Sequence, residues 1–194
     1  MILKSYEITK INLHKNKLIL FYGKNEALKN SASKNLTKNI DKVYNYDERD
    51  ILDNEENFLE NLYNNSLFET KKFIIVKRAT DKIIKIIEEI SLKNIDKINI
   101  IFNSDNLEKK SKLRNFFEKN TKTVCVPCYS DSERDLQYIA ISELKKNNII
   151  LSRESINLLI EKSNGDRNNL RNEIDKIKSF LLNNKKLEID EIKL

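Results

Sequence analysis

Glycine, proline and tryptophan are scarce in this sequence, with two glycines, one proline and no tryptophan among 194 residues. So little glycine and proline argues against turn-rich sandwiches and barrels, and against long flexible linkers. No apolar run approaches the length that spans a bilayer, and charged residues interrupt the N-terminal stretch too often for a secretory signal. These absences predict a cytoplasmic, globular protein without a membrane partner.

Reactive side chains are equally few. Cys125 and Cys128 form a C-x-x-C pair, but Cys125 falls inside an apparent strand, whereas a redox-active thiolate is typical of a helix N-terminus. A zinc site would need further ligands, and the single histidine, His14, is distant in the sequence. Acidic pairs such as Glu55 and Glu56 lie on helical stretches among lysines, as on solvated faces. We therefore expect no catalytic residue and no metal.

The charge is moderately basic, with 36 Lys and Arg against 30 Asp and Glu and a formal charge of +6. An excess of positive charge is compatible with a nucleic-acid partner. Lysines alternate with acids along most helical stretches, however, which favours ordinary solvated surfaces. DNA contact is left open by the composition.

The first two thirds of the chain alternate short apolar runs with helical stretches. Because continuous apolar runs are typical of strands buried on both faces, this order predicts an α/β domain with a parallel sheet covered by helices on both faces. The predicted strands are Lys17–Tyr22, Lys42–Tyr46, Lys72–Val76, Lys97–Phe102 and Lys122–Val126.

After Pro127 the pattern becomes helical throughout. Asp131 is a candidate N-cap for the first of three helices, and the next two follow Ser152 and Asp166. Apolar residues at helical spacing predict that the three pack together as a small unit. We expect domains over residues 1–129 and 130–194.

A sheet followed by a small helical bundle is the layout of the AAA+ module, in which a phosphate-binding loop follows the first strand. Gly23 and Lys29 match the first glycine and the lysine of the pattern G-x-x-x-x-G-K-[ST]. Leu28 replaces the second glycine, where its side chain would obstruct a phosphate cradle, and Asn30 replaces the residue that binds Mg²⁺. The sequence therefore predicts no nucleotide cofactor.

Two further positions also lack the residue expected in an active AAA+ ATPase. The fourth strand is followed by Asn103 and Ser104, with Asp105 arriving late for a Mg²⁺-binding carboxylate. In the helical unit Asn168 stands where a sensor arginine is expected, and Arg167 and Arg171 are interpreted as surface charges. Together with the altered loop, these differences predict that the chain is not an ATPase.

A short segment before the third strand contains adjacent large apolar residues. A helix bearing Phe58 and Leu62 inward is predicted to end near Asn64, and Leu67 and Phe68 follow. Adjacent residues on a helix or at its end point in different directions, so both cannot easily enter one small core. The pattern alone still favours packing of one or both at the helix–sheet interface.

The order of these motifs resembles the delta subunit of the bacterial DNA polymerase III clamp loader, a degenerate AAA+ family. The likeness is carried by Ser66-Leu67-Phe68 before two lysines and an apolar strand, and it extends along essentially the whole chain. Further similar stretches are Phe21-Tyr22-Gly23, the sequence LEKKSKLR from Leu107 to Arg114, Val126-Pro127 followed by Ser132 to Leu136, and Gly165-Asp166 through Ile177.

The resemblance implies a non-catalytic subunit of an assembly that is a DNA-directed DNA polymerase. Such a subunit binds no ATP and opens the sliding clamp (beta subunit) by placing a Leu-Phe pair in a clamp pocket. By position, these residues are Leu67 and Phe68, with Ser66 and Asn65 beside them. The family's third, collar domain, which joins delta to the tau/gamma and delta prime subunits, is expected to be absent from this sequence, and primed DNA is an indirect partner.

Two other functions stay open at this point. The chain could be an active AAA+ ATPase subunit of a clamp loader, which the altered nucleotide motifs disfavour. It could instead be a basic DNA-binding module, which the positive charge permits.

Overall fold

The computed structural model describes residues 1–64, 72–93 and 97–183. They divide into two compact units, of which the first ends at Tyr129 and the second begins at Ser130. Within the described ranges, no helix is long and apolar enough to cross a membrane.

The first unit is built on a five-stranded, wholly parallel sheet in the order β2-β3-β4-β1-β5. Each observed strand overlaps a run predicted from the sequence, so the predicted parallel α/β sheet is confirmed. The strands are β1 (Leu18–Tyr22), β2 (Val43–Asp47), β3 (Lys72–Lys77), β4 (Ile98–Ser104) and β5 (Thr123–Pro127).

Helices cover both faces of this sheet. They are α1 (Glu26–Thr37), α2 (Glu48–Asp53), α3 (Glu55–Tyr63), α4 (Ile84–Leu92) and α5 (Lys112–Lys119), with 3-10 helices at Ser5–Lys10 and Asp81–Ile83. Because side chains alternate along a strand, β1 sends Leu20 into one core and Ile19 into the other. The Leu20 core lies under α2 to α5, and the Ile19 core lies under α1 and the N-terminal segment.

The second unit is a bundle of α6 (Glu133–Lys146), α7 (Arg153–Lys162) and α8 (Arg167–Asn183). Its core contains apolar residues from all three helices, as the spacing predicts, and Ser152 caps α7, with its hydroxyl accepting from the backbone N–H of Ser155. The core residues include Leu136, Ala140, Leu144, Leu159, Ile160, Leu170, Ile174 and Ile177.

The predicted N-cap of α6 is wrong by one residue. Ser132 caps the helix, forming a capping box in which its hydroxyl accepts from the Asp135 N–H and the Asp135 carboxylate accepts from the Ser132 N–H at 2.8 Å. Asp131 is instead engaged by Arg167, as described below. Two consecutive cap-forming residues made this boundary ambiguous in the sequence.

Candidate functional site

The loop after β1 lies at the carboxyl edge of the sheet, where ligands of parallel α/β folds bind. It contains only Gly23, Lys24 and Asn25, because α1 already begins at Glu26. Leu28 is therefore helical: its N–H donates to Asn25 Oδ1 at 3.0 Å and its side chain is buried in the core. Contrary to the expectation from the sequence, the Leu28 side chain does not obstruct a phosphate cradle. The loop is instead too short to surround a phosphate.

Gly23 has a structural role of its own in this short loop. Its φ of 126° is unfavourable for residues with a Cβ, and a Cβ built there would collide with the backbone carbonyl of Cys128. The Gly23 N–H donates to the carbonyl oxygen of Asp105 at 3.1 Å. Glycine is thus required here by the close approach of β1, β4 and β5 at their carboxyl ends.

Lys29, at the position of the phosphate-binding lysine, is turned into the protein. Its side chain is 1% exposed, and its ammonium group donates to the carbonyl oxygen of Ser104 at 2.7 Å. The same group contacts the Glu26 carboxylate at 2.5 Å and Asp105 at 3.9 Å. Because a buried ammonium group has three donors, contacts with these oxygens leave Lys29 tied to α1 and to the end of β4.

The end of β4 lacks a buried carboxylate. Asn103 and Ser104 are its last residues and both are buried, while the side chain of Asp105 is 87% exposed. The Ser104 hydroxyl donates to the carbonyl oxygen of Ala79 at 2.5 Å, which joins the ends of β4 and β3. In an active AAA+ ATPase, the carboxylate that binds Mg²⁺ comes from this edge of the sheet.

Arg167 is not a surface charge, contrary to the interpretation from the sequence. Its guanidinium forms a two-point ion pair with Asp131, in which Nε donates to Oδ2 at 2.7 Å and Nη2 contacts Oδ1. The two side chains are 11% and 5% exposed. This pair links the start of the second unit to the start of α8, which is a structural use of the arginine.

The two cysteines lie in different cores, Cys125 in the one under α2 to α5 and Cys128 in the one under α1. Burial raises the pKa of the Cys125 thiol to about 12, with the Glu118 carboxylate acting in the same direction. This thiol is therefore protonated at neutral pH and a poor nucleophile. In the part of the chain that the structure describes, no three His, Cys, Asp or Glu side chains are grouped to hold a metal.

The four residues predicted to contact the clamp, Asn65, Ser66, Leu67 and Phe68, lie outside the described residues. The described chain stops before them at Asn64, the C-cap of α3, and resumes at Lys72, the first residue of β3. As predicted, α3 buries Phe58 and Leu62 and ends at Tyr63.

Lys72 ties these two flanks together. Its ammonium group donates to the carbonyl oxygens of Asn61 and Asn64 at the end of α3, at 3.1 Å for Asn64. Capping of helix carbonyls by a lysine is favoured by the helix dipole. The two points between which residues 65–71 run are therefore fixed relative to each other.

Tyr63 is fixed from the other side by Lys93, whose ammonium group lies 4.4 Å from the tyrosine ring centroid. Burial raises the pKa of the Tyr63 hydroxyl, while the charge of Lys93 opposes that rise. Lys93 itself pairs with Glu89 at 2.7 Å. Neither Lys72 nor Lys93 was identified from the sequence, because their partners are a helix end and a ring that spacing does not connect to them.

No protein-family model matches the sequence. The chain is 26% identical over 171 residues to the probable DNA polymerase III subunit delta of Rickettsia prowazekii, a match covering 86% of this chain and 51% of that protein. It thus spans about half the length of the curated relative it matches.

Among solved structures, the fold is similar to the Bacillus subtilis DNA clamp loader delta protein, with a TM-score of 0.66 at 14% identity over 97% of this chain and 61% of that one. It is also similar to domain III of the Thermotoga maritima replication initiation protein DnaA, with a TM-score of 0.50 at 14% identity, covering 97% of this chain and 86% of that one. At these identities the structures support the fold alone. The AAA+-like fold is confirmed by them, and the sequence match confirms that the chain resembles DNA polymerase III delta subunits.

Proposed function

We propose that this chain is the clamp-binding part of a DNA polymerase III delta subunit, which binds the sliding clamp and opens it for loading onto DNA during replication. The observation that carries the proposal is the sequence similarity to a delta subunit over 86% of the chain. Leu67 and Phe68 would enter a pocket of the clamp, with Ser66 and Asn65 at its edge. The tau/gamma and delta prime subunits would be further partners.

In this proposal the chain hydrolyses no ATP of its own. The three-residue loop after β1 and the contacts of the buried Lys29 ammonium group with Ser104 and Glu26 support that view. An active ATPase subunit would need Lys29 to reach the nucleotide phosphates. That would require the ammonium group to leave contacts inside the protein, so the non-catalytic role is favoured.

The fixed flanks of residues 65–71 support an interaction site there. A binding segment held at both ends loses less conformational freedom on binding than a segment with unconstrained ends. Lys72 fixes the distance between the end of α3 and the start of β3, and Lys93 packs on Tyr63 beside it. Both lysines therefore act as positioning residues for the proposed anchor.

The proposal is tested by measuring binding to the cognate sliding clamp with surface-immobilised clamp and the chain in solution. Truncation of an aromatic-aliphatic anchor in a pocket costs about 2 kcal/mol or more, so Leu67→Ala/Phe68→Ala should weaken binding by at least about thirtyfold. The double variant should keep the wild-type circular dichroism spectrum and urea midpoint.

A matched control is Ile150→Ala/Leu182→Ala, which truncates two other apolar side chains that are 96% and 86% exposed. It should bind the clamp as tightly as the wild type. Equal binding by the Leu67/Phe68 variant and the wild type would refute the site, and no binding by the wild type would refute the function.

A further inference from the structure

An apolar pocket lies in the second unit, at the end of the bundle where the connection between α6 and α7 is found. It has a volume of about 350 Å³, and six of the eight described residues that line it are isoleucine or leucine. We call it the bundle-end pocket. The apolar residues are Ile141, Leu144, Ile149, Ile150, Leu151 and Ile156, and Lys145 is the charged residue among the eight described.

Two isoleucines of the bundle-end pocket are exposed to water. Ile150 is 96% exposed and Ile141 is 52% exposed, whereas Leu144 in the same lining belongs to the buried core of the bundle. A single exposed apolar side chain is common on protein surfaces and needs no explanation. A contiguous apolar surface that forms a pocket is instead typical of a place where another group binds.

The connection that carries Ile150 has a defined backbone. The N–H of Ile149 donates to the carbonyl oxygen of Leu144 at 3.0 Å, which closes the C-terminus of α6. Asn148 has a left-handed φ of 55°, which asparagine adopts more readily than most residues do. Ser152 then caps α7. Because the backbone is hydrogen-bonded on both sides of Ile150, the exposure of this side chain does not come from a frayed helix end.

The C-terminus of α8 lies at the same end of the bundle as this pocket. Short connections make α6 and α7, and then α7 and α8, antiparallel neighbours, so α8 runs in the direction of α6. Its 17 residues span about 26 Å, which exceeds the length of the 14-residue α6. Asn183, the last residue of α8, is therefore near the connection between α6 and α7.

The sequence beyond Asn183 has the composition that this pocket favours. Residues 187–192 read LEIDEI, in which three apolar residues are interspersed with three acidic ones. Lys145, in the pocket lining, has the opposite charge. An extended residue spans up to about 3.5 Å and packed helices lie about 8–10 Å apart, so Leu187 and Ile189 can reach the pocket from the end of α8.

We propose that the bundle-end pocket binds residues 184–194 of the same chain, with Leu187 and Ile189 as the side chains that cover Ile150. Burial of apolar surface drives this contact, and attraction between the acidic residues and Lys145 adds little because it acts in water. A small three-helix unit has a limited core, so a covering segment adds a substantial share of its buried apolar surface. The proposal is independent of the clamp-binding function.

The first test is limited cleavage of the 194-residue chain by trypsin after Lys185 and Lys186, followed by mass spectrometry. Ile150→Ser should speed this cleavage by at least about tenfold, because proteolysis follows the fraction of time for which a segment is open. The control Leu92→Ser changes a leucine that is 88% exposed in the first unit, and it should be cleaved at the wild-type rate. Equal rates for the wild type and Ile150→Ser would overturn the proposal.

The second test changes the other side of the contact. Leu187→Ser/Ile189→Ser should raise the amide hydrogen-exchange rates of residues 147–156 by at least about tenfold, since the covering segment is lost. Lys185→Ser/Lys193→Ser, in the same segment, should leave these rates at the wild-type values. Unchanged exchange in the Leu187/Ile189 variant would contradict the proposal. Exchange that slows as the chain concentration rises would also contradict it, because a second copy of the chain would then be the occupant.

Discussion

At the scale of single residues, Lys29 is a lysine at the position of a phosphate-binding lysine that makes structural contacts instead. In the sequence it matches a phosphate-binding lysine, and in the structure it donates to the Ser104 carbonyl and pairs with Glu26. The ammonium group is buried, whereas the Glu26 side chain is 62% exposed and remains in contact with water. Removing the ammonium therefore affects chiefly the buried carbonyl of Ser104.

Lys29→Met should lower the free energy of unfolding by about 1–3 kcal/mol, because it keeps the apolar stem and leaves the Ser104 carbonyl without this donor. Urea unfolding followed by circular dichroism measures the change. The control Lys24→Met changes an exposed lysine in the loop just before α1 and should alter stability by less than about 0.5 kcal/mol. If the Lys29→Met and Lys24→Met variants were equally stable, the proposed structural role of Lys29 would be refuted.

At the scale of elements, the first turn of α5 is hydrogen-bonded to a carboxylate from another segment. Asp81, in the 3-10 helix after β3, accepts from the Ser111 hydroxyl at 2.5 Å and from the Leu113 N–H at 3.0 Å. Partial burial works against ionisation, but these hydrogen bonds and the N–H of Lys112 together lower the pKa of Asp81 below its ordinary value. The first turn of α5 is thereby joined to the segment that leads into α4.

Asp81→Ala should destabilise the chain by about 1 kcal/mol at neutral pH, as loss of a helix-capping carboxylate does. Because the pKa is lower in the folded state, the stabilisation by Asp81 is present above the ordinary aspartate pKa of about 3.9 and is lost as the pH falls through the folded-state pKa. The difference in urea midpoint between the wild type and Asp81→Ala should therefore shrink on acidification. A difference that stayed constant with pH would contradict a role for the charge.

The elements themselves were largely predictable from the sequence, and their side-chain partners were not. Runs such as FIIV from Phe73 to Val76 identify buried strands because both faces must be apolar. Local spacing carries no information about contacts such as Arg167 with Asp131, 36 residues apart. The short loop after β1 was missed for a related reason, since Asn25 can cap a helix as readily as it can occupy a loop.

At the scale of the whole molecule, the two ends of the sheet's strands carry different groups. At the carboxyl edge, the groups at the position of an AAA+ nucleotide site contact one another: Gly23 with Asp105, Lys29 with Ser104, and Ser104 with Ala79. At the opposite edge, where the strands begin, lies Lys72, the first residue of β3. Lys72, which contacts the end of α3 on one flank of the proposed clamp-binding residues, therefore lies at the edge opposite the position of an AAA+ nucleotide site.

This distribution predicts the response of the chain to nucleotide. A ligand present at a hundred times its dissociation constant stabilises the folded state by about 2.7 kcal/mol, which raises an unfolding temperature by several degrees in a chain of this size. Because Lys29 is tied inside the protein and the loop after β1 has three residues, millimolar Mg²⁺-ATP should leave the unfolding temperature unchanged in differential scanning fluorimetry. A motor-type clamp-loader subunit with an intact phosphate-binding loop is the positive control. A rise that required both ATP and Mg²⁺ would favour the ATPase alternative, because it would mean that Lys29 can leave Ser104 and that the carboxyl edge still accepts a nucleotide.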